Sequence, residues 1–219
     1  MIKALLIDMD GLLIDSEKYA YQIYVDFLKQ YDIDFSLDFY AKNMSGYKAI
    51  DNVKTICKEY HIEKEINEVL DFIVKKEAEY FDAGIPCKKG AIELLTYLKQ
   101  NNYKIILATS SSVDRAMKAI NFNNLKDYFD DMAFGPEVNR GKPYPDIFLK
   151  AQEKSKCTID ECLVLEDAET GIQAANNAGI KVICVPDVKK PREEYINKCE
   201  CICNDLLEVI DYLKKSGNN

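Results

Sequence analysis

The sequence has one histidine in 219 residues, no long apolar run, no stretch dense in lysine and arginine, and no internal repeat. Each absence narrows the reading. The lone histidine, His61, lies in the polar stretch Glu59–Glu65 and reads as an exposed or turn residue. One histidine without matching partners carries no site. With a net charge of −8, the chain gains little from a nucleic-acid backbone. A phosphate substrate would therefore need local neutralisation, by a cation or by a few placed basic groups. The apolar run Ala4–Ile7 is too short for a signal segment or a bilayer span. The expected compartment is cytoplasmic, with neither membrane nor nucleic acid as partner.

Apolar residues make up 47% of the chain and charged residues 30%, the profile of a globular protein with a real core. The length suits one large domain, or a core with a smaller insert. Eight cysteines are scattered, with Cys57, Cys162 and Cys184 in apolar stretches, as reduced buried thiols are. The exception is Cys199-Glu-Cys201-Ile-Cys203. Strand periodicity puts these three thiols in a row on one face, which does not surround an ion tetrahedrally. A strand face of small residues is the expectation; a soft-metal site is the alternative.

Residues 2–7 read as a central strand buried on both faces. Short apolar runs at Lys104–Ala108, Met132–Phe134, Cys162–Leu165 and Lys181–Val185 read as further strands. Helical patterns lie between most of them. Ile92, Leu94, Leu95 and Leu98 recur at helical spacing, and a helix from about Val113 to Ile120 has Ser111 or Ser112 as its N-cap. Asp146 can cap another helix, and a further one spans Gly171–Ala178 with Gly179 as its stop. This alternation predicts an α/β fold, a Rossmann-like parallel sheet with helices on both faces. Residues 16–81 show no strand. Three helical stripes run there, through Ile23 and Phe27, Val53 and Ile56, and Val69 and Ile73. The expected organisation is a core from residues 1–15 and 82–219 around a helical cap at 16–81, with hinges near Leu13–Ser16 and Asp82–Pro86. The tail Lys214–Asn219 is expected to fray.

Asp8-Met9-Asp10-Gly11 follows directly on the first strand. In open α/β sheets, ligands bind beyond the carboxyl ends of the strands. Two carboxylates there need compensation, and a hard cation with oxygen ligands supplies it. Alone, the segment also reads as a turn signal at a strand end. Three further features add to it. Lys104–Ala108 runs into Thr109-Ser110-Ser111-Ser112, whose hydroxyls and N–H groups suit a phosphate, although capping would need just one serine. Lys142 sits in a stiff loop, Gly141-Lys142-Pro143-Tyr144-Pro145, or is a solvated loop lysine. Glu166-Asp167 ends the strand at Cys162–Leu165 and can complete a Mg²⁺ site, unless Asp167 is an N-cap.

In order and spacing, these four segments resemble the four motifs of the haloacid dehalogenase-like hydrolase superfamily. The resemblance covers essentially the whole chain, helical cap included. Asp8–Glu17, Gly141–Phe148 and Glu166–Gly171 look like the subgroup that contains β-phosphoglucomutase and sugar-phosphate phosphatases. It implies that Asp8 is the nucleophile, forming an aspartyl-phosphate, and that Asp10 moves the proton. It implies Mg²⁺ held by Asp8, the Asp10 carbonyl, Asp167 and, through water, Glu166, with Thr109, Ser110 and Lys142 on the phosphoryl oxygens.

Within that subgroup the cap decides between mutase and phosphatase. The mutase has a cap histidine where this chain has Ala20, and an arginine in a loop that here resembles Met44–Ala49, with Lys48 the only nearby cation. The expected reaction is therefore Mg²⁺-dependent hydrolysis of a small phosphomonoester, a sugar phosphate, by a monomer. Glu17, Gly46 and Lys48 are candidate selectivity residues. The alternatives are a phosphosugar mutase and, from another class, a phospho-aspartate signalling protein, which would lack the cap and Asp10.

Overall fold

The longest uninterrupted burial in the sequence becomes the centre of the sheet. In the computed structural model, which describes residues 1–216, strand β1 (Ala4–Ile7) is buried at every position. Neither face of β1 meets water, so it reads as a continuous apolar run and not an alternating one. On its two sides lie β2 (Lys104–Thr109) and β4 (Cys162–Glu166), both parallel to it. Beyond them come β3 (Asp131–Phe134) next to β2, and β5 (Lys181–Cys184) and β6 (Cys201–Ile202) next to β4. The order β3-β2-β1-β4-β5-β6 is an all-parallel six-stranded sheet. It reverses direction at β1, the switch point at which open α/β sheets form their ligand crevice.

Two compact units divide the chain: Met1–Asp15 with the chain from Pro86 onward, and Ser16–Ile85. In the first, helices α5 (Ala91–Gln100), α6 (Val113–Phe122), α7 (Asp146–Ser155) and α8 (Glu169–Asn177) alternate with the strands. A short α9 (Glu193–Ile196) precedes β6, and α10 (Leu206–Ser216) closes the described chain. On one face of the sheet, Leu6, Ile106, Val164, Phe148 and Ile172 share a continuous core. Each large side chain buried there contributes about 1.5–3 kcal/mol.

The second unit is helical throughout: α1 (Ser16–Leu28), α2 (Leu37–Asn43), α3 (Ala49–Glu59) and α4 (Ile66–Ala83). Ile23, Phe27, Val53, Ile56, Val69 and Ile73 are buried, as their helical spacing predicts. Around Phe35, the ring of Tyr21 stacks and those of Tyr40 and Tyr60 pack in T-shaped pairs. The two crossings between the units run side by side. Asp15 N donates to the Pro86 carbonyl at 3.0 Å and Lys88 N to that of Leu13 at 2.9 Å.

Some local expectations need correcting. The helical unit ends at Ile85 rather than at 81, because α4 continues to Ala83 and stops only at Gly84, whose φ is +99°. Ile92 is 48% exposed, on the outer side of α5. Asp146 does not cap α7: Pro145 occupies the cap, and the Asp146 carboxylate pairs with Arg140 at 2.9 Å instead. Helix α8 begins at Glu169, two residues before Gly171. Of the tail, Lys214–Ser216 are helical within α10, and residues 217–219 lie outside the described residues. Cys201 and Cys203 do share an edge, with sulfurs 3.8 Å apart, and only Cys201 of the three thiols lies within β6. Among the described residues, no helix is long and apolar enough to cross a membrane.

Candidate active site

Three strand ends converge on one carboxylate. Asp8 immediately follows β1, Thr109 ends β2 and Glu166 ends β4, and all three are almost fully buried. Parallel register puts Asp8 level with Glu166 and one residue short of Thr109, since Ile7 pairs with both Leu107 and Leu165. The fourth group comes from the loop before α7. The Lys142 ammonium donates to Asp8 Oδ1 and, at 2.5 Å, to Glu166 Oε1. Its side chain is 9% exposed, so it is no solvated loop lysine, and its ammonium lies 4.9 Å from the centroid of the Phe148 ring.

Glu166 is held at its other oxygen. Oε2 accepts from the N–H groups of Asp167 and Ala168, each at 2.9 Å. These N–H groups precede α8, so the carboxylate also meets the positive end of that helix. The helix comes this close only because Gly171 has no side chain: a Cβ there would overlap the Glu166 carboxylate. Gly11, at φ +73°, makes a similar close approach to Asp167 Oδ2. Gly171→Ala is therefore expected to displace Glu166, a fully buried group with nowhere to retreat. Overpacking of this kind costs about 1–3 kcal/mol. A thermal melt and a magnesium titration check it: both stability and cation affinity should fall.

Asp8, Glu166 and Asp167 each offer one carboxylate oxygen, and these lie within 4.8 Å of one another. Oxygens in one octahedral magnesium shell are at most about 4.2 Å apart, so small adjustments would suffice. The donor set is all oxygen, as a hard cation requires. Its charge also fits, because the Asp8 and Glu166 carboxylates share the single ammonium of Lys142. Electrostatics report the same imbalance. Burial, assisted by the Glu166 and Asp10 charges and opposed by Lys142, pushes the Asp8 carboxyl up to about 7. Burial works against the Lys142 charge, but Asp8 and Glu166 outweigh it and hold the ammonium above its ordinary range.

Asp10 stands two residues on. Its Oδ2 accepts from Ser111 Oγ at 2.9 Å and from Arg115 Nη1 at 2.7 Å. Sequence reasoning placed Ser111 in a phosphate cradle or at the helix cap, and overlooked Arg115. Ser112 is the actual N-cap of α6, with Oγ 3.4 Å from Arg115 N, which leaves Ser111 for Asp10. Ser111 lies one residue before that cap, outside α6, so helical spacing offered no signal for its pairing with Arg115. Thr109 Oγ1 accepts from Ser111 N at 3.0 Å. Ser110 is exposed and lines a cavity of about 390 Å³ with Pro136, Gly141 and Ile147.

In the helical unit, Glu17 accepts from Ser45 Oγ at 2.8 Å and from Tyr40 OH at 3.1 Å. That ties the start of α1 to the loop carrying Gly46 and Lys48. Gly46 has φ +81° in open space, and Lys48 is exposed at the N-cap position of α3. His61 is an exposed turn residue at φ +51°.

A buried carboxylate at the switch point, a second acid two residues on, a bridging lysine and an acid pair at the end of the neighbouring strand thus gather at one edge of the sheet. The chain belongs to the haloacid dehalogenase-like hydrolase family, whose pattern it matches over residues 5–185. It is an enzyme of the phosphatase kind within that family. A phosphorylated carbohydrates phosphatase of Thermotoga maritima is 28% identical over 83% of this chain and 84% of its own. The (DL)-glycerol-3-phosphatase 1 of Arabidopsis thaliana is 34% identical over 94% and 71%. Among solved structures, a haloacid dehalogenase family hydrolase from Deinococcus radiodurans shares the fold at a TM-score of 0.88. It is 20% identical, over 99% of this chain and 96% of that one. A β-phosphoglucomutase-like protein from Thermotoga maritima shares it at 0.82, with 24% identity over 98% and 99%.

Proposed function

We propose that this protein hydrolyses a small phosphomonoester, a sugar or polyol phosphate, in a Mg²⁺-dependent reaction through an aspartyl-phosphate on Asp8. The observation that carries the reading is Asp8 itself: buried at the end of the central strand, touched by Lys142, with Asp10 two residues away. The relatives named for phosphorylated carbohydrates and glycerol phosphate support the substrate class.

Asp8 attacks phosphorus and the bond to the leaving oxygen breaks. Asp10 gives that oxygen its proton, then takes one from the water that attacks the phosphoenzyme. Lys142, the Thr109 hydroxyl and the Ser110 backbone bind the phosphoryl oxygens, over which transition-state charge is spread. Asp8, Glu166, Asp167 and the Asp10 carbonyl would hold Mg²⁺, which offsets repulsion between the Asp8 carboxylate and the dianionic substrate. Glu17, Gly46 and Lys48 are assigned to substrate selectivity.

A phosphate-release screen across sugar phosphates, polyol phosphates and nucleotides, with Mg²⁺ or with a chelator, tests this directly. Release from sugar or polyol phosphates with Mg²⁺ alone is expected. Isomerisation of a sugar phosphate that depends on a bisphosphate, with no net release, would overturn it.

The Asp8 carboxyl adds a pH signature. Its folded value, about 7, lies above its unfolded value near 4. The folded chain keeps a proton that the unfolded chain has released. Asp8 therefore contributes stability fully below about pH 4, and this is lost as pH rises through about 7. A cation on Asp8 removes the penalty, so Mg²⁺ should raise the melting temperature more at about pH 8 than at about pH 6. Thermal melts with and without Mg²⁺ check this, and an Asp8→Asn variant should show a smaller difference.

A further inference from the structure

We infer that Arg115 is a positioning residue for the proton step: it aligns Asp10 with the leaving-group oxygen. The inference rests on the reading of Asp10 as the acid–base group. Asp10 follows β1 at a backbone bridge to Ile14, just before the turn at residues 11–13. One of its oxygens, Oδ2, takes hydrogen bonds from two side chains of a different segment, Ser111 Oγ and Arg115 Nη1. Arg115 Nη1 also contacts Ser111 Oγ, so the three groups brace one another. Arg115 and Asp10 are each a little under one third exposed, which leaves the pair partly shielded from water. Arg115 lies in the first turn of α6, whose Ala116, Ala119 and Ile120 are buried, so the guanidinium is carried by a packed helix. Anchoring Oδ2 fixes the plane of the carboxyl and hence the direction of its other oxygen. Proton transfer needs that geometry before it needs a suitable acidity.

A positioning role makes a prediction that neither phosphate binding nor simple structural support shares. When Asp8 takes the phosphoryl group, the bond from phosphorus to the leaving oxygen breaks and the proton passes from Asp10 to that oxygen. An alkyl alkoxide leaves badly without the proton. A p-nitrophenolate leaves as the anion and does not need it. The parameter kcat/KM covers steps through formation of the phosphoenzyme, so it isolates this transfer from the later attack by water.

The test compares wild type, Arg115→Met and Arg115→Lys on glycerol phosphate and on p-nitrophenyl phosphate, with Mg²⁺. For Arg115→Met, kcat/KM on the alkyl ester should fall by on the order of 10- to 100-fold, part of what general acid catalysis supplies. On the nitrophenyl ester it should stay near wild type. Arg115→Lys should recover part of the loss, and it gives the same reading on its own if the methionine variant does not fold. An equal loss on both esters would overturn the inference, since Arg115 would then bind the phosphoryl group. So would a change in melting temperature with the ratio of the two substrates unaltered. Failure of wild type to release phosphate from either ester would overturn the phosphatase reading as well, which separates the two failures.

Discussion

Asp8→Asn should abolish phosphate release while leaving the fold intact. The amide has nearly the same shape and fits the same buried place, but it cannot attack phosphorus. Loss of a nucleophile of this kind costs on the order of 10⁴-fold or more in kcat. Stability should hold or rise. The wild-type carboxylate is buried beside Glu166 and Asp10, and these charges, with burial itself, push its protonation up to about 7. Asparagine carries none of that cost at neutral pH, although it gives Lys142 a weaker partner. Phosphate release together with a thermal melt checks both halves. Residual activity within about 100-fold of wild type would show that another group attacks phosphorus.

Lys142→Met should have the second largest effect, and it should be felt twice. Lys142 bridges two buried carboxylates. Removing one partner of a buried pair costs about 3–5 kcal/mol, because a charge is left buried without compensation. For a chain of this size, that corresponds to a fall in melting temperature on the order of 10 °C. Protonation of Asp8 would absorb part of the cost, so the loss should grow as pH rises through about 7. Mg²⁺ should recover part of the stability, since it supplies positive charge to the same acids. It should not recover turnover, for which an ammonium must meet the phosphoryl oxygens. Melts with and without Mg²⁺ near pH 8, alongside phosphate release, measure the two effects separately. A variant that melts like wild type would mean that the bridge contributes nothing to folding.

The parts of the site that could be read from sequence are those tied to strand ends. Asp8, Thr109 and Glu166 each follow an apolar run, and parallel pairing brings such ends to one edge of the sheet. Lys142 was legible for a different reason, its setting between glycine and prolines, but its burial against Asp8 was not. Contacts made by phase within a helix were harder to see. Arg115 reaches Asp10 because α6 begins at Val113 and not one residue earlier or later, and a cap ambiguous between Ser111 and Ser112 hides that. The edge strand β6 has only two residues, too few for an alternating pattern to stand out. Helix α2 is short and carries exposed Leu37, so no apolar stripe marks it. The turn of Asp146 towards Arg140 likewise follows from Pro145 taking the cap, a competition that residue preferences alone do not decide.

The most direct measurement is a rapid acid quench of the enzyme during turnover of a phosphate-labelled phosphomonoester with Mg²⁺, followed by peptide mapping. Label should appear on the peptide that contains Asp8, should be discharged by hydroxylamine as acyl phosphates are, and should be absent from Asp8→Asn. Label on any other residue, or steady turnover with no covalent label at any quench time, would contradict a phosphoryl transfer through Asp8.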